Sequence, residues 1–387
     1  MKIFLYISDV LKVLPLLLAI VMLAGCSTDD QEDNQVESII GWHVTTIETS
    51  TRGGTPLTTA SFPVEGRQFR LWAWMYRNGS DPVPMYTKAN PTPLSNVLVT
   101  YANGLWTTAD KYYWPPQSYS VDFYAVHPAS ANFSAADRSI VYTADNPVSG
   151  HDDLMVAKTT ASRSNTVTAG ADGQTPTQAV TLPFHHALTQ VAFRGVLSAS
   201  MQDKGWQVAV SGITLHNVHA AGTYDCTTGV FSTDIDSPCL MNYALTMEPD
   251  DDGGVISITS TEKRLTSLTD IPMLMPQEHE AWTPATEAAT TGTGKAVTSG
   301  SYIAVECHIW NPATGEDYVG SADSFSTVYA PITISWQPGK RYVYSLTFGT
   351  GYTADGAAIE PIFVDAIIND WIDNGTVFNG QAQHVGS

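Results

Sequence analysis

The residues best placed to do chemistry in this chain stand at the end of an apolar run, Leu23-Ala24-Gly25-Cys26, with Ser27-Thr28-Asp29-Asp30-Gln31-Glu32-Asp33 directly behind it. A small-small-cysteine ending is what a lipoprotein signal peptidase cuts, and the thiol of Cys26 would then carry the lipid. Lys2 and Lys12 supply the positive entry region, and the stretch from Val13 to Met22 is too short for a durable membrane span of about 20 apolar residues. Each methylene of an attached acyl chain contributes about 0.8 kcal/mol on burial, enough in sum to hold a soluble domain to a bilayer. Residues 1–25 are therefore expected to be a lipoprotein signal peptide and everything after them to be exported.

Other reactive side chains do not assemble into a recognisable site. Gly292-Thr293-Gly294-Lys295 lacks both the first glycine and the following hydroxyl of a phosphate loop, because Ala289 and Ala296 occupy those places. His185-His186 and the pair His216 and His219 lie in or beside expected strands, where neighbours face opposite ways, and no carboxylate stands at ligand spacing. Asp250-Asp251-Asp252-Gly253-Gly254 is half a calcium loop without its distal glutamate and reads as an acidic turn. His151, Asp152, Asp153 and many serines supply the pieces of a hydrolytic triad without a nucleophile elbow. No catalytic, metal or cofactor site is assigned, and the chain is read as non-enzymatic.

Trp72, Trp74, Tyr76, Trp106, Tyr112, Tyr113, Trp114 and Tyr119 crowd into one region. They could form platforms for sugars, and a glycan-binding surface lipoprotein is the alternative reading. Against it, Trp72 and Trp74 share one strand face, as core residues do.

The elements that must position these residues are strands. Charged residues make up only 14% of the chain and helical periodicity is nearly absent, while short apolar or alternating runs recur, among them Phe69–Tyr76, Val121–Val126, Leu188–Val196, Gln207–Val210 and Tyr342–Phe348. Turn residues such as Ala102-Asn103-Gly104 and Pro338-Gly339 separate them. An all-β fold of antiparallel sandwiches is expected. About 360 residues after the signal exceed one ordinary core, so two domains are the default. The polar stretch 159–177 marks the seam, giving domains at 39–175 and 176–378, an acidic tether at 26–38 and a polar tail at 379–387.

The formal charge is -20, from 38 acidic and 18 basic side chains, with no basic cluster, which excludes nucleic acid as a partner. Besides Cys26 there are Cys226, Cys239 and Cys307. The exported compartment permits a bridge between Cys226 and Cys239, but an odd count shows no disulfide framework.

Several segments in order resemble a known family. Lys111-Tyr112-Tyr113-Trp114-Pro115-Pro116 through Val121-Asp122-Phe123-Tyr124-Ala125-Val126-His127-Pro128, Asp152–Ala157, Val180–Phe193, Tyr342–Phe348 and Val364–Trp371 are together similar to the fimbrillin-like lipoproteins, subunits and accessory proteins of type V pili. The resemblance implies two tandem transthyretin-like β-sandwich domains and a pilus subunit or adhesin on the outer membrane. Its partners would be other pilus subunits and, for an adhesin, a host or bacterial surface ligand. The acidic run after Cys26 resembles the surface-export signal of such lipoproteins.

In that family a strand of one subunit completes the sheet of the next, after an arginine-specific protease removes the first strand. Here the resemblance implies cleavage at Arg52, a removable strand with Ile39, Ile40, Trp42, Val44 and Ile47, and a donor or self-capping strand with Ile362, Val364, Ile367 and Trp371. Such assembly is physically sensible, since a missing strand leaves unpaired backbone groups and an apolar groove that one extended segment satisfies together.

Overall fold

The computed structural model describes residues 38–46, 60–143, 153–163, 168–169, 176–233, 240–249, 254–267, 270–282, 300–349 and 363–370. The first part of the chain forms β1 (Ile39–Thr46), β2 (Gln68–Tyr76), β3 (Val83–Pro84), β4 (Val97–Ala102), β5 (Leu105–Thr108), β6 (Ser120–His127), β7 (Asn132–Ser134), β8 (Ser139–Thr143), β9 (Met155–Ser162), β10 (Thr168–Ala169) and β11 (Pro176–His186). Next come β12 (Thr189–Leu197), the short helix α1 (Ala199–Asp203), β13 (Gln207–His219), β14 (Ala221–Asp225), β15 (Val230–Ser232), β16 (Leu240–Ala244) and β17 (Ile256–Ile258). The chain closes with β18 (Lys263–Arg264), β19 (Met273–Leu274), β20 (Glu278–His279), β21 (Tyr302–Asn311), β22 (Glu316–Val319), β23 (Ser326–Pro331), β24 (Ile334–Ser335), β25 (Lys340–Phe348) and β26 (Phe363–Asp370).

Seven strands of the first part run in the order β1-β5-β4-β2-β6-β9-β11, and β11 pairs back to β1, so the sheet is closed. Period-two alternation sends Phe69, Leu71, Ala73 and Met75 of β2 and Val121, Phe123 and Ala125 of β6 into the ring. Trp72, Trp74, Tyr124 and Val126 point the other way and are buried too. Burial on both faces is why these strands read as nearly unbroken apolar runs. Asn103 and Gly104, with φ of 53° and 81°, make the tight turn between β4 and β5 that Asn-Gly favours.

The outer face of the ring is covered by a four-stranded sheet, β15-β14-β8-β7. Two of its strands come from the first part of the chain and two from the second. Phe133 lies 4.1 Å from Trp72 between ring centroids, and the Arg138 guanidinium sits 4.9 Å above Trp74. Beyond it, a sheet of β18-β12-β25-β26 with β19, and another of β16-β13-β21-β22 with β17 and β23, share one core. Val191, Phe193, Tyr344 and Phe348 enter that core from the first of these sheets, and Val210, Leu215, Ile303 and Val305 from the second.

Two expectations are modified. The fold is all-β, but the first part is one closed, barrel-like sheet instead of two facing sheets, because β1 bridges the edges that a sandwich would leave apart. The polar stretch 159–177 precedes β11, and Val180, Leu182 and Phe184 of β11 lie in the ring's core, so the change from one core to the next comes after His186.

Cys226 and Cys307 are free, buried thiols, and Cys239 lies outside the described residues. Burial pushes both thiols up to about 12, with Asp225 adding to the effect at Cys226. Alkylation of the folded protein at neutral pH should leave both unmodified, and unfolding in urea should make both react, as read by peptide mass spectrometry.

Candidate functional site

The strand β1 and its seat close the ring of the first part of the chain. Its sequence is rich in β-branched side chains, and alternation turns Ile40, Trp42, Val44 and Thr46 toward the ring while His43 faces solvent. Along one edge β1 runs parallel to β11 through eight residue pairs, from Ile39 opposite Thr177 to Thr46 opposite Phe184. The other edge is held more sparsely. Ile40 N donates to Tyr112 O at 2.8 Å, Trp114 N donates to Ser38 O at 2.9 Å, and Trp42 pairs with Trp106 of β5.

Beneath the strand, the Trp42 ring meets Phe123 edge-on at 6.0 Å, and Trp114 meets the same Phe123 at 5.9 Å. The Trp114 indole Nε1 donates to Gln178 O of β11 at 3.2 Å, so the Tyr112-Tyr113-Trp114 segment forms one wall of the seat. Burying Ile40 and Trp42 contributes roughly 1.5–3 kcal/mol each. Removal of β1 would leave the ring open between β11 and β5, with a row of unpaired backbone groups above an apolar floor.

The expected site residues distribute unevenly. Ile39, Ile40, Trp42 and Val44 are in β1, whereas Ile47, Arg52 and Cys26 lie outside the described residues. Val364 and Ile367 are in β26, which pairs antiparallel with β25 over eight residue pairs, from Lys340 opposite Asp370 to Thr347 opposite Phe363. Ile362 and Trp371 lie outside the described residues, as do His151, Asp152, the Asp250–Asp252 run and the Gly292–Lys295 stretch.

Most of the aromatics offered as sugar platforms are in the cores, while Tyr76 and Tyr113 are part-exposed. Trp72, Trp74, Trp106, Tyr112 and Trp114 are all buried, and half-exposed Tyr119 is covered by the Arg77 guanidinium at 4.4 Å. The sugar-binding alternative therefore loses its tryptophans and Tyr112 as platforms.

The histidines have separate neighbours. His186 Nδ1 lies 2.6 Å from Asp153 Oδ2, both side chains buried, and this pair joins the segment before β9 to the end of β11. His185 Nε2 meets the Tyr224 hydroxyl at 2.9 Å. His216 stacks on Tyr302 at 4.5 Å, and burial lowers its pKa to about 4, partly offset by Asn242. Burial, then the nearby His279, lowers His219. Among the described residues no group of three His, Cys, Asp or Glu side chains is arranged around a metal position.

Ser301 and His279, 2.6 Å apart between Oγ and Nδ1, have the contact distance of a nucleophile and its base. The Ser301 hydroxyl donates to Asn217 O at 2.9 Å and is wholly buried. The pair thus ties β20 to the start of β21 and, through Asn217 O, to β13.

Sequence reasoning found β1 but not its partners. The alternation Val180-x-Leu182-x-Phe184 of β11 matches Ile40-x-Trp42-x-Val44 of β1 and was the available signal, although periodicity reports a face and not a neighbour.

A family model described as fimbrillin-like matches residues 65–371. The chain belongs to the fimbrillin-like family. Its fold is shared with a solved fimbrial protein from Bacteroides vulgatus, 14% identical, with a TM-score of 0.53, covering 86% of this chain and 99% of that one. A Bacteroides ovatus protein whose proposed role is cell adhesion aligns at 13% identity and TM-score 0.44, over 87% of this chain and 98% of that one. Among curated proteins none matches this fimbrillin-like chain. No helix among its described residues is long and apolar enough to cross a membrane.

Trp42→Ala should destabilise the protein by about 2–3 kcal/mol in urea unfolding, less than a fully buried tryptophan because the ring is part-exposed. His43→Ala should change it by under about 0.5 kcal/mol. The lowered His216 pKa means the unfolded chain binds the extra proton first. The associated stability is complete above about pH 6.5 and is lost as pH falls toward about 4. His216→Gln should flatten that part of a stability-against-pH curve.

Proposed function

We propose that this fimbrillin-like chain is a lipid-anchored pilus subunit or adhesin of the outer membrane surface, assembled by strand exchange. One observation carries the reading. The ring is completed by its own first strand, and among the described residues that strand alone spans the gap between β11 and β5. In sequence, Arg52 falls between β1 and β2, where a single cut would separate the strand from the body it completes. Membership of the family supports a fimbrial or adhesive role and companion pilus subunits.

Cys26 is the proposed lipid site and the acidic residues behind it the tether that carries the body clear of the bilayer. β26, at the edge of its sheet, is the proposed self-capping or donor strand. Exchange suits both ends energetically, since the incoming strand restores the ladder and the apolar floor at once.

Co-expression with companion fimbrillin-like subunits should yield detergent-resistant ladders that depend on Arg52. Arg52→Ala should reduce them to single subunits while leaving an acylated Cys26 in the mature N-terminal peptide by mass spectrometry. Absence of ladders with every companion tried would end the strand-exchange reading.

A further inference from the structure

The seat of β1 has a shape that selects its occupant. Of its four inward positions, the first holds buried Ile40 and the fourth buried Thr46, while the second holds the Trp42 indole. That second position holds the largest of the inward side chains. It is floored by Phe123, with Trp114 against the same ring and Trp106 opposite in the neighbouring strand. The rings named beneath Trp42 are apolar, and a carboxylate buried against them is costly unless it is paired.

The strand this chain itself could lend to a second copy fits that shape poorly. In an extended segment from Ile362 to Trp371, alternate residues form two faces. Ile362, Val364, Ala366 and Ile368 make an apolar one, but it brings Val364 to the second position in one direction and Ala366 in the other. Either leaves most of the indole volume empty. The other face carries Phe363, Asp365, Ile367 and Asn369. Whenever Phe363 reaches the second position, Asp365 takes the first or the third; Trp371 is hemmed in the same way by Asn369 and Asp373. Trp42, by contrast, has Ile40 and Val44 two residues to either side.

We infer that the strand accepted in this seat comes from a different chain and presents a large aromatic side chain at its second inward position, between two aliphatic ones, while β26 remains the cap of its own sheet. This rests on the strand-exchange reading above and narrows it. The subunit is then an acceptor for heterologous donors and does not propagate a filament of identical copies. A void the size of an indole weakens a strand's hold by on the order of 100-fold.

The test uses the full chain with a specific protease site in the Thr51-Arg52-Gly53-Gly54 loop, cut after folding so that β1 is held without a covalent link. Labelled peptides are then equilibrated with it, and displacement of β1 is followed by native mass spectrometry. The three peptides copy residues 38–47, residues 361–372, and residues 361–372 with Val364→Trp. The copy of β1 should exchange, the unaltered C-terminal peptide should need about 100-fold more, and Val364→Trp should recover most of the difference. Equal displacement by the unaltered C-terminal peptide overturns the inference and leaves the seat intact as an acceptor. Exchange of the β1 copy with failure of Val364→Trp overturns it too, since volume would not then be the discriminator. If even the β1 copy does not exchange, the acceptor reading itself falls, and this inference with it.

Discussion

Closure of the first sheet by β1 is the constraint on which the rest of the first part depends. A sheet of seven strands has two edges unless they meet, and among the described residues they meet through one eight-residue strand that lies parallel to β11 and touches β5 at Trp42 and Trp106. The two sides are unequal. A full ladder holds one and a few hydrogen bonds hold the other, so most of the stabilisation on the weaker side comes from the apolar floor under Ile40, Trp42 and Val44. The strand is thereby necessary to the closed ring and unequally held on its two sides.

The same asymmetry explains the family signature segments. The Tyr112-Tyr113-Trp114 run, which as a sequence suggests exposed rings, forms the wall against which β1 is laid, through the Trp114 contact with Phe123 and its hydrogen bond to Gln178. The two segments around Asp153 and His186 come together as one buried pair at the point where the chain leaves the first core. Residues that resemble a reactive constellation are thus spent on joining elements, as with Ser301 and His279 between β20 and β21.

Much of this was legible in the sequence. The apolar runs of β2 and β6, the Asn103-Gly104 turn and the shared burial of Trp72 and Trp74 follow from side-chain period and turn chemistry, which are local. What was not legible is which strands lie side by side. Ile39 and Thr177 are paired across the whole first part of the chain, and alternation in each says only that one face is buried. The polar stretch 159–177 puts the expected seam ahead of β11 for a related reason. A polar stretch marks where a core pauses, yet β11, which follows that pause, returns to the core that came before it. Of the candidate site, β1 and its inward residues could be named in advance, while the neighbours that give Trp42 its pocket could not.

The covering sheet β15-β14-β8-β7 has a mechanical meaning. It is sewn from strands on both sides of the join, with β8 and β14 paired antiparallel through five residue positions from Ala221 opposite Thr143 to Asp225 opposite Ser139. Separating the two cores requires this ladder to shear or unzip and Trp72, Trp74 and Tyr124 to be uncovered together. A pull applied between β1 and β26 therefore meets a cross-braced joint and not a lone peptide hinge, and the molecule elongates only after that brace gives way.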